Sequence, residues 1–113
     1  MKTRTQVLLW GAQRATAAVL ALFVLVHLAV IVYAVRNGLT AGEILGRTRG
    51  SAGWASFYGL FVFAASVHAA IGLRAVLGEV AGWQGRGRDF ALLLFGGLLL
   101  AWGLRAVWAV TGG

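Results

Sequence analysis

Three stretches of the chain carry almost nothing but apolar side chains. Ala15–Val35 and Gly53–Leu73 contain no Asp, Glu, Lys or Arg, and Phe90–Val110 contains only Arg105. A helix rises about 1.5 Å per residue, so about 20 residues cross the roughly 30 Å of bilayer hydrocarbon. Each run meets that length. None shows the period-two alternation of a barrel strand, and the chain has no proline to force a kink. The pattern predicts an all-α membrane protein, a single anchor domain over 1–113, with three transmembrane helices over 15–35, 53–77 and 90–110.

The first run follows Lys2, Arg4 and Arg14, as the apolar part of a signal peptide would. It is longer than an ordinary signal segment, however, and no small-residue cleavage pattern stands out at its end, so it reads as a retained span.

Composition agrees with this reading. The 113 residues are 60% hydrophobic and 12% charged, with a mean hydropathy of +0.84, whereas soluble domains carry about a quarter charged residues. A soluble domain of this length has too little interior to hide so much apolar surface. The absence of cysteine excludes a disulfide framework, a thiolate nucleophile, thiolate-held clusters and covalent c-type haem.

The net charge of +7 comes from basic residues placed between the apolar runs. That arrangement fits membrane flanks and lipid contact, not nucleic acid. Lys2, Arg4, Arg14, Arg74, Arg86 and Arg88 fall on one side, and Arg36, Arg47, Arg49 and Arg105 on the other. The imbalance predicts the N-terminus inside and the C-terminus outside. Trp10, Trp54, Trp83 and Trp108 lie near the expected span ends, where indole rings favour the headgroup layer. The segment Arg36–Ala52 has glycines at 38, 42, 46 and 50, but it is not an apolar span on which such spacing would pair helices. It reads as a flexible or partly helical surface loop.

Few polar residues lie within the spans, so the search for chemistry is short. His27 is in the first and His68 in the second. An ionisable side chain in hydrocarbon is costly and usually faces a partner or a cofactor; the bland alternative is an interhelical hydrogen bond. If the second helix continues to Gly78, the two histidines are expected at matching depth. At about 100° per residue, Phe61, Ala64, Ala65, Gly72, Ala75 and Glu79 share the His68 face. Small residues there let helices touch, or leave room for a flat macrocycle. Non-covalent haem b, its iron held by His68, is the natural cofactor candidate.

Arg14 reads as a basic anchor, or as a guanidinium for a haem propionate or a quinone oxygen. Arg74 and Glu79 read as loop-edge charges or as the border of a polar site where quinone takes up protons. Trp83 reads as an interface anchor before a quinone contact. The acids Glu43, Glu79 and Asp89 are dispersed, and no nucleophile–base pair or metal cluster is visible. The chain is therefore expected to be a carrier or anchor and not catalytic on its own.

Two segments resemble a known family. Arg14-Ala15-Thr16-Ala17-Ala18-Val19-Leu20 is similar to the opening of the first helix in the small membrane-anchor, or cytochrome b, subunit of bacterial succinate dehydrogenase, complex II. His68-Ala69-Ala70-Ile71-Gly72-Leu73-Arg74-Ala75-Val76-Leu77-Gly78-Glu79 resembles that family's second-helix motif, a histidine, then Ile-Gly, then an acid near the helix end. The three-helix layout agrees. The resemblance implies a multi-pass subunit of the bacterial cytoplasmic (inner) membrane. Its implied partners are a second membrane-anchor subunit, an iron–sulfur subunit and a flavoprotein subunit.

By the same resemblance His68 is a haem b axial ligand, and Arg14 lies near the propionates and the quinone pocket. Glu79 is the acid beside that pocket. The family pattern has a tyrosine after the acid where this chain has Val80, which leaves Trp83 or another subunit as the hydrogen-bond donor to quinone. His27 has no counterpart: it is a packing residue, a second ligand, or part of an arrangement in which His27 and His68 hold one haem. A haem-free anchor of a fumarate reductase-like complex is the further alternative.

Overall fold

The computed structural model describes residues 2–112, without the Lys2 side chain, which is counted in the charge tally above. Four helices follow one another: α1 (Lys2–Arg36), α2 (Ala41–Thr48), α3 (Ala52–Val80) and α4 (Arg86–Thr111). The three long ones are long and apolar enough to cross a membrane. The helices outrun the apolar stretches that predict them, most of all at the start, where α1 begins at Lys2 and not near residue 15. Charge marks where lipid ends, not where a helix must end. Once nucleated, a helix extends cheaply through good formers such as Leu8 and Leu9.

α3 is the central element. It packs against both α1 and α4, while α1 and α4 barely touch, and the molecule is elongated at 50 × 24 × 24 Å. α1 offers α3 a half-buried stripe of Gln13, Thr16, Leu20, Phe23, His27, Val30 and Ala34, spaced three or four residues apart.

The α3–α4 seam is closer. Ala64 and Leu92 are the buried apolar side chains among the described residues, joined by Ser66, whose hydroxyl donates to Val62 O at 2.8 Å. A β-carbon on Gly96 would lie 3.4 Å from Ala70 Cβ, and one on Gly103 would overlap the Val62 side chain. Small residues let membrane helices approach, because lipid provides no hydrophobic drive to hold them together. Part of the small-residue stripe beside His68 is thus spent on packing, with Ala64 only 5% exposed.

The first loop is partly helical, as expected. Gly38 and Gly50, on either side of α2, take φ of 61° and 71°, which only glycine adopts freely. The α2 start is a capping box: Glu43 N–H donates to Thr40 Oγ1 at 3.1 Å, and Thr40 N–H donates to Glu43 Oε1 at 2.9 Å. Thr48 Oγ1 donates to Val110 O at 2.6 Å and Gly50 N–H to Thr111 O at 2.8 Å. α2 thereby satisfies carbonyls that the end of α4 leaves open.

The capping box holds the Glu43 carboxyl below the usual glutamate range, chiefly through the Thr40 N–H. Its contribution to folding is therefore present at neutral pH and lost as pH falls through that lowered value. The Thr40 amide resonance should titrate with a midpoint below about 4.3, the ordinary glutamate value. A midpoint at or above it would show that the carboxylate is not held.

Candidate functional site

His68 is half-buried in the α1–α3 seam, and its Nδ1 is 3.2 Å from Thr16 Oγ1. The Thr16 hydroxyl also lies 2.8 Å from Ala12 O and 3.1 Å from Gln13 O. A hydroxyl has one hydrogen and two lone pairs. With the hydroxyl hydrogen on the closer Ala12 carbonyl, Oγ1 accepts from His68 Nδ1–H, the tautomer in which Nε2 keeps its lone pair. A metal-binding histidine needs this state, its non-ligating nitrogen tied to an acceptor.

The rest of that level is polar on α1 and small on α3. A β-carbon on Gly72 would lie 3.3 Å from Gln13 Nε2, and Gln13 Oε1 is buried without a partner.

His27 lies elsewhere on the same seam. Its ring meets Tyr58 at 5.7 Å and 87° and Phe61 at 5.7 Å and 84°, within an aromatic cluster that includes Phe23, Phe57 and Trp54. Its Nδ1 is buried and unpaired. Thr16 and His27 are eleven positions apart on α1, and Tyr58 and Phe61 are ten and seven positions before His68 on α3. At 1.5 Å per residue, the two histidines are separated by about 10–16 Å along the helix axes. The expectation of matching depth is corrected: the Thr16–His68 pairing sets the antiparallel register, and that register carries His27 away. Two imidazoles on one iron must face each other across one ring plane, and these do not.

Arg14 projects off the half-buried stripe of α1. It is exposed, with its guanidinium carbon 5.5 Å from the Trp10 ring centroid. The structure does not bring it together with His68.

Where α3 ends and α4 begins, an open polar cavity of about 870 Å³ is lined by Arg74, Glu79, Gln84, Arg86, Arg88 and Asp89, with Thr5 and Gln6 of α1. Glu79 is exposed at its rim. Trp83 lies on the turn between α3 and α4 but outside the lining; its N–H donates to Leu77 O at 3.0 Å. Arg88, only 7% exposed, pairs through Nη2 with Asp89 Oδ1 at 3.1 Å, and Arg74 Nε reaches the same oxygen at 3.4 Å. Asp89 is half in solvent, so these pairs orient the cavity wall more than they stabilise it.

The Thr16–His68 bond is not legible in the sequence: its signal is a hydroxyl in an apolar helix, but its partner depends on the register between α1 and α3. Arg88 stands in the first turn of α4, which begins four residues before the apolar run. No group of three or more potential metal-binding side chains exists among the described residues.

A family model described as succinate dehydrogenase/fumarate reductase transmembrane subunit matches residues 1–105. No curated protein and no solved structure matches the chain.

Proposed function

The chain belongs to the succinate dehydrogenase/fumarate reductase transmembrane subunit family, and from that premise we propose that it is the haem b-binding anchor of a succinate:quinone oxidoreductase, with His68 the residue that would hold the iron. The observation that carries this reading is the Thr16–His68 hydrogen bond, which leaves Nε2 as a free lone pair in the membrane interior. Haem b held there would supply a one-electron carrier between the iron–sulfur subunit and quinone.

This chain's own part is to hold the imidazole in one tautomer and orientation. With His27 at another level, a further ligand would come from the second membrane-anchor subunit, which would seat against the seam. Arg14 points away from α3, which suits a propionate or quinone oxygen only where the partner closes around α1. Glu79, at the rim of the polar cavity, is the acid we assign to proton supply at the quinone, with Trp83 beside it as a headgroup contact. The basic flank supports an N-terminus and cavity on the cytoplasmic side of the bacterial membrane, where the iron–sulfur and flavoprotein subunits would dock.

The test is the protein purified with its native partners. Its reduced-minus-oxidised spectrum should show a b-type haem, and its co-purifying subunits should include an iron–sulfur protein and a flavoprotein. A pigment-free complex would overturn the haem reading and leave a structural anchor.

Thr16→Val keeps the side-chain shape but removes the acceptor. It should weaken haem retention about 10–100-fold, the usual effect of losing such an outer partner, and shift the haem midpoint potential. Thr16→Ser should restore both. Wild-type retention and potential in Thr16→Val would show that the hydroxyl does not orient the ligand.

A further inference from the structure

At the opposite end of the α1–α3 seam, a cavity of about 430 Å³ opens between α1, α2 and α3. Its lining is mostly apolar, with Val26, Val30, Ile44 and Trp54 among it, and includes Arg47 and Tyr33. The Arg47 Nη1 is 3.3 Å from Tyr33 Oη, and its guanidinium carbon is 5.4 Å from the Tyr33 ring centroid. Arg47 pairs with no carboxylate among the described residues. The nearest acid along the chain, Glu43, is engaged with the Thr40 N–H at 2.9 Å. α2 is pinned to α4 through Thr48 and Gly50, which leaves its other side standing over the cavity.

We propose that this cavity is the seat of one anionic phospholipid, its phosphate held by the Arg47 guanidinium and the Tyr33 hydroxyl and one acyl chain running down the apolar cleft between α1 and α3. The argument is one of matched polarity. A guanidinium is a planar fork of donors suited to phosphate oxygens. It stands here beside a phenol that can donate a further hydrogen bond. Along about two turns of α1 from Tyr33 to Val26, the walls are mainly hydrocarbon and aromatic, with the Tyr58 and Thr48 hydroxyls the further polar groups.

A free inorganic anion would use the mouth and leave the cleft empty. A peptide segment would bury backbone N–H and C=O groups against walls that cannot bond them. A phospholipid matches both ends, and basic pockets between membrane helices are a known way of holding its headgroup. The lipid would brace α2 against α1 and α3, which α2 otherwise overhangs. This proposal is independent of the haem assignment, because the cavity shares no residue with the His68 site.

The experiment is native mass spectrometry of the protein purified with its partner subunits. Samples are washed in detergent and back-titrated with phosphatidylglycerol or with phosphatidylcholine of the same acyl chains. The wild type should retain one phosphatidylglycerol with clear preference over phosphatidylcholine. Arg47→Gln should weaken it about tenfold or more, as expected for loss of a charge-assisted hydrogen bond, and Arg47→Lys should fall between. Val30→Trp, which fills the cleft and leaves Arg47 in place, should expel the lipid. Helical circular dichroism and co-purification with the partner subunits should be unchanged in all three, which separates misfolding from loss of the site.

Equal retention of the two lipids, or equal phosphatidylglycerol binding by wild type and Arg47→Gln, would overturn the proposal. So would displacement of the lipid by millimolar inorganic phosphate, which would indicate a bare anion site. A quinone recovered in the lipid's place, or a wild-type complex with no bound phosphatidylglycerol because another subunit fills the cleft, would overturn it as well.

Discussion

His68→Ala should abolish the b-type difference spectrum of the purified complex, while His27→Ala leaves it in place. The asymmetry follows from the hydrogen bonding of the two rings. His68 Nδ1 lies 3.2 Å from a Thr16 hydroxyl that back-bonds to the Ala12 carbonyl, a partner able to hold the ring in one orientation. His27 is wedged edge-on against Tyr58 and Phe61 with Nδ1 unpaired, a setting that fixes no tautomer. His68→Gln adds a control, since glutamine can still donate to Thr16 but is a poor iron ligand. It should also lose the spectrum, with less damage to folding than alanine. Haem that binds only the folded protein stabilises it, so loss of the ligand should lower the thermal midpoint of the assembly as well. An intact spectrum in both His68 variants would remove the residue from the site. Loss of the spectrum in His27→Ala alone would transfer the assignment to that residue.

The second large effect lies in the α3–α4 seam. Gly103→Ala should destabilise the detergent-solubilised protein by about 1–3 kcal/mol, the usual cost of overpacking a tight contact. The new methyl would overlap the Val62 side chain. Valine is branched at its β-carbon and stiff, so it cannot swing aside as a long side chain would, and the helices must part. Gly97→Ala is the internal control. Nothing lies within 4 Å of a β-carbon there, so the change should be neutral or stabilising by up to about 1 kcal/mol through helix propensity. Val62→Ala combined with Gly103→Ala should recover most of the loss, because the overlapping methyls are gone. Thermal unfolding monitored by circular dichroism gives the comparison. If the two glycine variants behave alike, the seam is looser than the structure shows and α3–α4 packing does not rest on Gly103.

The two histidines show where a sequence reading stops. Each was visible as a polar residue in an apolar run, and the small face beside His68 could be laid out from helical geometry. Their relative depth was misjudged because it was measured from the ends of apolar stretches. α1 begins at Lys2 and α3 continues to Val80, so those ends do not fix the register. Thr16 lies on the same α1 stripe as His27, and only the register between α1 and α3 brings it to His68. Arg14 and Glu79 stand out in the sequence as charges at the edges of the spans. Their placement, one exposed beside Trp10 and the other at a cavity rim, depends on how each helix is rotated about its axis.

The sequence alone determined that the chain crosses a membrane three times, which residues flank the crossings, and that histidine is the polar side chain able to bind iron within them. Those are one-dimensional properties, set by summing the transfer cost of consecutive side chains. The tertiary structure decided that α3 is central, that Thr16 and not a neighbour meets His68, and that His27 belongs to a separate aromatic cluster. A helix facing lipid is apolar on every side, so its hydrophobic pattern does not say which face meets another helix. That choice is made by close contact of small residues and a few hydrogen bonds, which exist only once the helices are side by side.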